Sequence, residues 1–228
     1  MRGPTPRRLK KYGAKCLGLK SYLQCSGDGR PHGRFPAAAL LWGLIMGVLL
    51  RRAAFAGIEA LVRSRARRAL EVSPSFGDDA PGYSTARLDP AVTRRAVVTA
   101  VRQAERHKAF DDCRFLGLAL DGTGAGRSRQ KVCPLCRPYR NKKREILDYH
   151  HKLVMLSVVG TGLTLPVDVE LYGPGDSEYN AARRLFRRVS KHTGRRFADY
   201  VAADGEFAFD PWDALRWEIV RVIRYRQY

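Results

Sequence analysis

The sequence predicts a mixed α/β fold: a sheet with helices packed against it, behind a helical N-terminal region. Three observations predict it. Between residues 35 and 110, apolar residues recur at the spacing of three and four that lines one helix face. From residue 114 the pattern changes to short apolar runs bounded by glycine, the signature of strands. One strongly amphipathic helical stretch then separates the last strands, so a hairpin is followed by a helical crossover, and a mixed sheet is the economical solution.

Each element follows in order. Residues 1–34 are basic and rich in Gly and Pro, and read as a flexible arm. "FPAAALLWGLIMGVLLRR" (35–52) is an apolar run with Gly43 and Gly47 at GxxxG spacing. It is shorter than the roughly 20 residues a membrane span needs. With "AAFAGIEALVRSRARR" behind it, it reads as a buried helix followed by an amphipathic one, and a membrane partner is not expected. "SPSFGDDAPGYSTA" (73–86) reads as a linker. Asp89 is a natural N-cap, and Pro90 suits the first position of the next helix, whose apolar face runs through Val92, Ala96, Val97, Ala100, Val101 and Ala104. "RFLGLALD" (114–121) is a central strand ending on Asp121, after which "GTGAG" opens a loop. A basic excursion runs from Arg127 to about His150. "HKLVMLSVVG" and "TLPVDVELYG" then form two strands, and Asp176 or Ser177 caps a helix that buries Ala182, Leu185, Phe186 and Val189 and ends at Gly194. "FADYVAADGEF" is a last short strand, again ending on an aspartate, Asp204.

The charge balance points to a partner. Forty-two Lys and Arg against 22 Asp and Glu leave +20, so a polyanion is the expected ligand, and DNA or RNA comes before an anionic membrane. Arg127, Arg129, Arg137, Arg140, Lys142 and Lys143 concentrate this charge in the excursion and are the candidate DNA-binding residues. Five cysteines make an odd count with no secretory framework, which favours reduced thiols and a cytoplasmic location.

Two sets of residues can carry chemistry. Asp121 and Asp204 each close an apolar strand and each precede glycine. Alternation puts Asp121 on one face with Gly117 and Ala119, and Asp204 on one face with Ala202, so small neighbours leave room beside each carboxylate. If the strands are adjacent, the two acids can share Mg²⁺ or Mn²⁺ and act on a phosphodiester. Asp before Gly is also a common turn, and either aspartate alone reads that way. Cys133 and Cys136 form a CxxC that His150, or His151 beside it, completes as a Zn²⁺ site; free thiols in a loop are the alternative. The loop "GTGAGR" matches neither nucleotide-cradling glycine pattern.

"FGDDAPGY", "ERHKAFDDCRFLGLALDGTGAGRS", "CPLCRPYRNK", "YHHKLV", "LPVDVELYGPGDSEYNAARRLFRRV" and "YVAADGEFA" together resemble insertion-sequence transposases of the DDE type, in the ribonuclease-H-like superfamily and of the IS-four-like kind. The resemblance covers about 75–208. It implies a metal-dependent nuclease and strand transferase of a bacterial insertion sequence, associated with the nucleoid, which binds element ends and target DNA. It also implies Asp121 and Asp204 as the first and second catalytic acids. The third acid of the family is a glutamate far downstream; Glu206 and Glu218 lack its context. The expectation is therefore a C-terminally truncated form with an incomplete ribonuclease-H-like sheet. Its segments are an arm (1–34), a helical region (35–110), the N-terminal part of the catalytic domain (111–209) and a divergent basic tail (210–228). Such a chain would act as a transposase, or as a non-catalytic DNA-binding or regulatory fragment that forms homodimers or associates with full-length enzyme.

Overall fold

The computed structural model describes residues 5–16, 18–25, 29–52, 54–72, 74–112, 114–160, 164–193, 197–204, 207 and 220–224. The chain divides into two compact units, Met1–Gln103 and Ala104–Tyr228.

The first unit is helical. Two helices, α1 (Pro6–Cys16) and α2 (Leu19–Cys25), occupy the stretch whose composition reads as an arm. The apolar run forms α3 (Ala37–Leu49), followed by α4 (Phe55–Arg63) and the single turn α5 (Ala66–Ala69). The core is built from Leu40, Trp42 and Met46 of α3 with Ile58, Val62, Leu70, Val72 and Phe76. The buried Trp42 indole donates to the Leu70 carbonyl at 2.9 Å, so its polar atom is satisfied. The two small residues of the GxxxG spacing serve this core. A Cβ on Gly43 would lie 2.5 Å from the Phe76 ring, and one on Gly47 would lie 2.6 Å from Ile58. Among the described residues no helix is long and apolar enough to cross a membrane. The linker stretch contains a short helix, α6 (Asp79–Thr85), and α7 (Pro90–Arg106) starts where its capping residues predict. The Asp89 carboxylate accepts the Ala91 N–H at 2.9 Å.

The second unit is a six-stranded mixed sheet with one long helix on it. Its elements are β1 (Gly117–Ser128), β2 (Arg137–Arg140), β3 (Ile146–Val159), β4 (Leu165–Tyr172), α8 (Glu178–Thr193), β5 (Tyr200–Asp204) and β6 (Val220–Arg224). The order across the sheet is β2-β3-β1-β5-β6, and β4 also pairs with β3. β1, β3 and β4 run antiparallel in succession; β5 returns parallel to β1, and β6 is parallel to β5.

Three features differ from the sequence expectations. β1 does not stop at Asp121 but runs on through the glycines to Ser128, because β3 supplies a ladder partner for nearly all of it. The irregularity falls at Gly126, whose φ of +65° suits a residue without a side chain. β3 begins at Ile146, inside the basic excursion. Finally, residues 220–224, expected in a divergent tail, form a strand beside β5, so the sheet extends one strand past Asp204. Val220, Val222 and Ile223 are β-branched, which favours this conformation. Gly194, Glu206 and Glu218, and the rest of the expected tail, lie outside the described residues.

α8 covers one face of the sheet. Ser177 caps it, its hydroxyl accepting the Asn180 N–H at 3.1 Å, and Ala181, Ala182, Leu185, Phe186 and Val189 are buried. Register and alternation put Leu118 and Leu120 of β1 on this face with Val154, Leu156 and Val158 of β3, all essentially inaccessible. Asp168 and Glu170 of β4 share it, and two arginines of α8 answer them. Arg188 binds Asp168 at 2.6 Å and Glu170 at 2.7 Å; Arg184 binds Glu170 at 2.8 Å and Asp176 at 2.6 Å.

Candidate metal and nucleic-acid site

Asp121 and Asp204 stand next to each other in the sheet. The parallel ladder of β1 and β5 pairs Leu118 with Val201, Ala119 with Ala202, and Leu120 with Ala203; each aspartate is the next residue on its strand. Adjacent strands lie about 4.8 Å apart, and register neighbours point to the same face, so both carboxylates emerge from the face opposite α8. β5 ends at Asp204, and beyond this level β1 keeps only β3 as a neighbour. The acids therefore mark the end of the parallel ladder rather than the end of β1. Asp121 is exposed, and among the described residues it makes no ion pair. Gly117, Ala119 and Ala202 precede the acids on their face, and the Tyr200 ring fills the space above Gly117. An exposed carboxylate and a half-buried one, with small neighbours, offer oxygen donors of the kind a hard divalent cation takes while keeping most of its waters. No third Asp, Glu, His or Cys joins the pair among the described residues.

Past the acids, β1, β3 and β2 continue as a ribbon that carries the basic residues. Arg127 lies 5.7 Å over the Tyr139 ring and 3.8 Å from Asp148. Arg127, Tyr139 and His150 line a cleft of about 470 Å³ with Gly124 and Gly126. Arg129 is exposed in the loop after β1, and Lys142 and Lys143 are exposed at the tip of the β2–β3 hairpin. That tip is fixed by Asn141, whose side chain accepts the Glu145 N–H at 3.0 Å and donates to its carboxylate at 2.7 Å. Arg140 donates to the Arg144 carbonyl at 2.7 Å while its side of the hairpin remains open. Arg137 is different from the other five. Its guanidinium donates to the Gly173 and Asp176 carbonyls at 2.7 and 2.5 Å and lies 4.7 Å over Tyr172, so it ties β2 to the start of α8. It is thereby spent on the chain's own acceptors and is not presented as a phosphate ligand. Tyr139 is the ribbon residue that the charge pattern alone misses; its only signal is an aromatic inside "RPYRNKK".

The CxxC turn meets His151, not His150. Cys133 Sγ is 3.0 Å and Cys136 Sγ 3.4 Å from His151 Nε2, and the two sulfurs are 3.6 Å apart. Consecutive residues of β3 face opposite ways, so only one of the two histidines can reach the thiols. His150 points toward Tyr139, with which it makes an edge-to-face contact at 6.3 Å. Burial works against ionisation of the Cys136 thiol. Hydrogen bonds at the Val132 and Cys133 backbone, the Cys133 thiol and the nearby Lys131 charge outweigh it and hold the thiol below its ordinary value.

No family model and no curated protein matches this chain. Among solved structures, the chain is similar to a piggyBac transposase captured in a synaptic complex with hairpin DNA, at 14% identity and a TM-score of 0.40. The match covers 96% of this chain and 50% of that one, so the chain spans about half the length of that neighbour.

Proposed function

We propose that this chain is a DNA-binding transposase of the insertion-sequence DDE type, with a ribonuclease-H-like sheet in its second unit. The observation that carries the reading is the neighbouring position of Asp121 and Asp204 at the end of the parallel ladder. Three antiparallel strands followed by a helical crossover to a strand parallel with the first support it too, being the mixed sheet with packed helix that the sequence predicts. In this reading the two carboxylates hold Mg²⁺ or Mn²⁺. A cation there would polarise the scissile phosphodiester and stabilise charge on the attacking and leaving oxygens. The protein's own part is positional. Asp121 and Asp204 would hold that cation, and through it the reacting phosphate, at the end of the ladder. Arg127, Arg129, Arg140, Lys142 and Lys143 neutralise phosphates along the ribbon, and Tyr139 and His150 offer rings against which a base can stack.

Incubation of the purified protein with supercoiled plasmid and element-end duplex in Mg²⁺ or Mn²⁺ tests this. Metal-dependent nicking that Asp121→Ala and Asp204→Ala both abolish is expected. Nicking no higher than in the Asp121→Ala control would sink the catalytic reading. A second reading, a DNA-binding regulatory fragment, is favoured by the lack of a third acid beside the pair among the described residues. Its mark is salt-steep DNA binding that Asp121→Ala leaves unchanged while no preparation cuts.

A further inference from the structure

We infer that Cys133, Cys136 and His151 form a zinc site that braces the base of the basic ribbon. Zinc–thiolate and zinc–imidazole bonds of about 2.3 and 2.0–2.1 Å, set at tetrahedral angles, place two sulfurs about 3.8 Å apart and each sulfur about 3.6 Å from the nitrogen. The structure has 3.6 Å between the sulfurs and 3.0 and 3.4 Å to Nε2, and every pair of ligand atoms lies within 4.8 Å. Both cysteines are free thiols, and a disulfide would need sulfurs about 2.05 Å apart. Two soft thiolates with one imidazole select zinc over the hard cation proposed for the aspartates. Three protein ligands leave a fourth position for water or an added ligand.

The site sits where β3 changes partner. One edge of β3 pairs with β2 up to Arg137 opposite His150, and with β4 from Tyr172 opposite Lys152. His151 lies between these two pairs, at a point where neither strand covers it. The CxxC turn fills that gap, with Leu135 packed on Gly173 at the end of β4. A single ion there joins the loop after β1 to the middle of β3. It fixes the direction in which the ribbon leaves the sheet, without needing any other strand contact.

The full chain, purified without chelator or polyhistidine tag, provides the test by elemental analysis and by Co²⁺ substitution. About one zinc per chain is expected, together with the visible bands of tetrahedral thiolate-bound Co²⁺. His151→Ala should lower zinc affinity at least about tenfold and lose those bands, and Cys136→Ser should do the same; His150→Ala should keep both. Should the cysteine variant fail to fold, the two histidine variants decide alone. Hydrogen exchange supplies a readout apart from metal content: chelation should deprotect residues 129–140 while leaving α8 protected. Zinc-free protein after dialysis against Zn²⁺, a Cys133–Cys136 disulfide in its place, or loss of zinc in His150→Ala but not His151→Ala would each overturn the assignment.

Discussion

The two faces of the sheet treat their carboxylates in opposite ways. Under α8, Asp168 and Glu170 are largely buried, and Arg184 and Arg188 answer them at hydrogen-bonding distance. Burial of Glu170 works against its charge, yet the two guanidinium groups hold its carboxyl below the ordinary value. On the other face, Asp121 is exposed, and among the described residues it has no basic partner although the chain carries a charge of +20. An arginine-rich protein that leaves one acid uncompensated while clamping others from two sides uses the two sets differently. The clamped set orders α8 on the sheet; the exposed Asp121 is available to a ligand that brings its own positive charge.

The difference can be broken most sharply at Asp121. Asp121→Ala should remove metal-dependent nicking by at least about 100-fold. As an exposed substitution it should leave unfolding free energy within about 0.5 kcal/mol of wild type. Thermal unfolding and the nicking assay on one preparation check both halves. Arg188→Ala should do the reverse. It removes the guanidinium that binds Asp168, whose side chain is only 3% exposed, at 2.6 Å. The cost should be about 2–4 kcal/mol in denaturant unfolding, less than for a fully buried pair because Arg188 is itself 25% exposed. A double variant, Arg188→Met with Asp168→Leu, should recover most of that loss, since an apolar pair needs no counter-charge. Equal costs in the single and double variants would mean that the clamp acts through packing alone.

Much of this contrast was legible before the structure. The face of α8, a cap at Asp176 or Ser177 and the matched aspartates all follow from periodicity, capping preference and small residues beside acids; the structure settles the cap on Ser177. What stayed hidden was pairing. The sequence of β1 looks like a strand broken by glycines, because nothing local announces that β3 will run beside it as far as Ser128. The choice between His150 and His151 was equally closed, since alternation says only that they face opposite ways, not which face receives the CxxC turn. Three helix ends were hidden for another reason. Arg51, Glu71 and Lys108 take left-handed φ values of 58°, 54° and 61° at positions where glycine would have announced a stop. Local backbone bonds of the Schellman kind hold these exposed residues there: the Arg52, Val72 and Ala109 N–H groups donate to the Gly47, Arg67 and Ala104 carbonyls at 2.8, 3.0 and 2.9 Å. The five residues of β6 look like a basic tail until β5 gives them a neighbour.

Gly122 offers a finer probe, because it separates the two faces within one strand. It follows Asp121 and so faces α8, where the Glu178 carboxylate lies against its backbone and the Tyr172 hydroxyl donates to that carboxylate at 2.7 Å. A Cβ on Gly122 would fall 1.8 Å from a Glu178 oxygen. Gly122→Ala should therefore push Glu178 aside and cost about 1–2 kcal/mol, with loss of the tyrosine hydrogen bond. Adding Glu178→Ala should relieve most of the clash. If Gly122→Ala costs nothing, Glu178 moves freely and the first turn of α8 is not seated on β1.

The smallest expected effect concerns acid. Glu170 and Asp176 are both held below their ordinary values of 4.5 and 3.8; for Asp176 the Arg184 hydrogen bond is the largest cause. A carboxylate depressed in the folded state contributes its full stability above the unfolded value and loses it as pH falls through the folded one. The clamp should thus hold its strength down to about pH 4.5 and weaken progressively below it. Melting temperatures at pH 6 and pH 3.5 should differ by roughly a few degrees more in wild type than in a Glu170→Gln variant, whose clamp has one fewer group to titrate. On the exposed face, Asp121→Asn should leave the melting temperature at pH 6 unchanged, since no protein cation among the described residues pairs with that carboxylate. A loss in Asp121→Asn as large as in Glu170→Gln would place a basic partner on the exposed face and remove the asymmetry between the two.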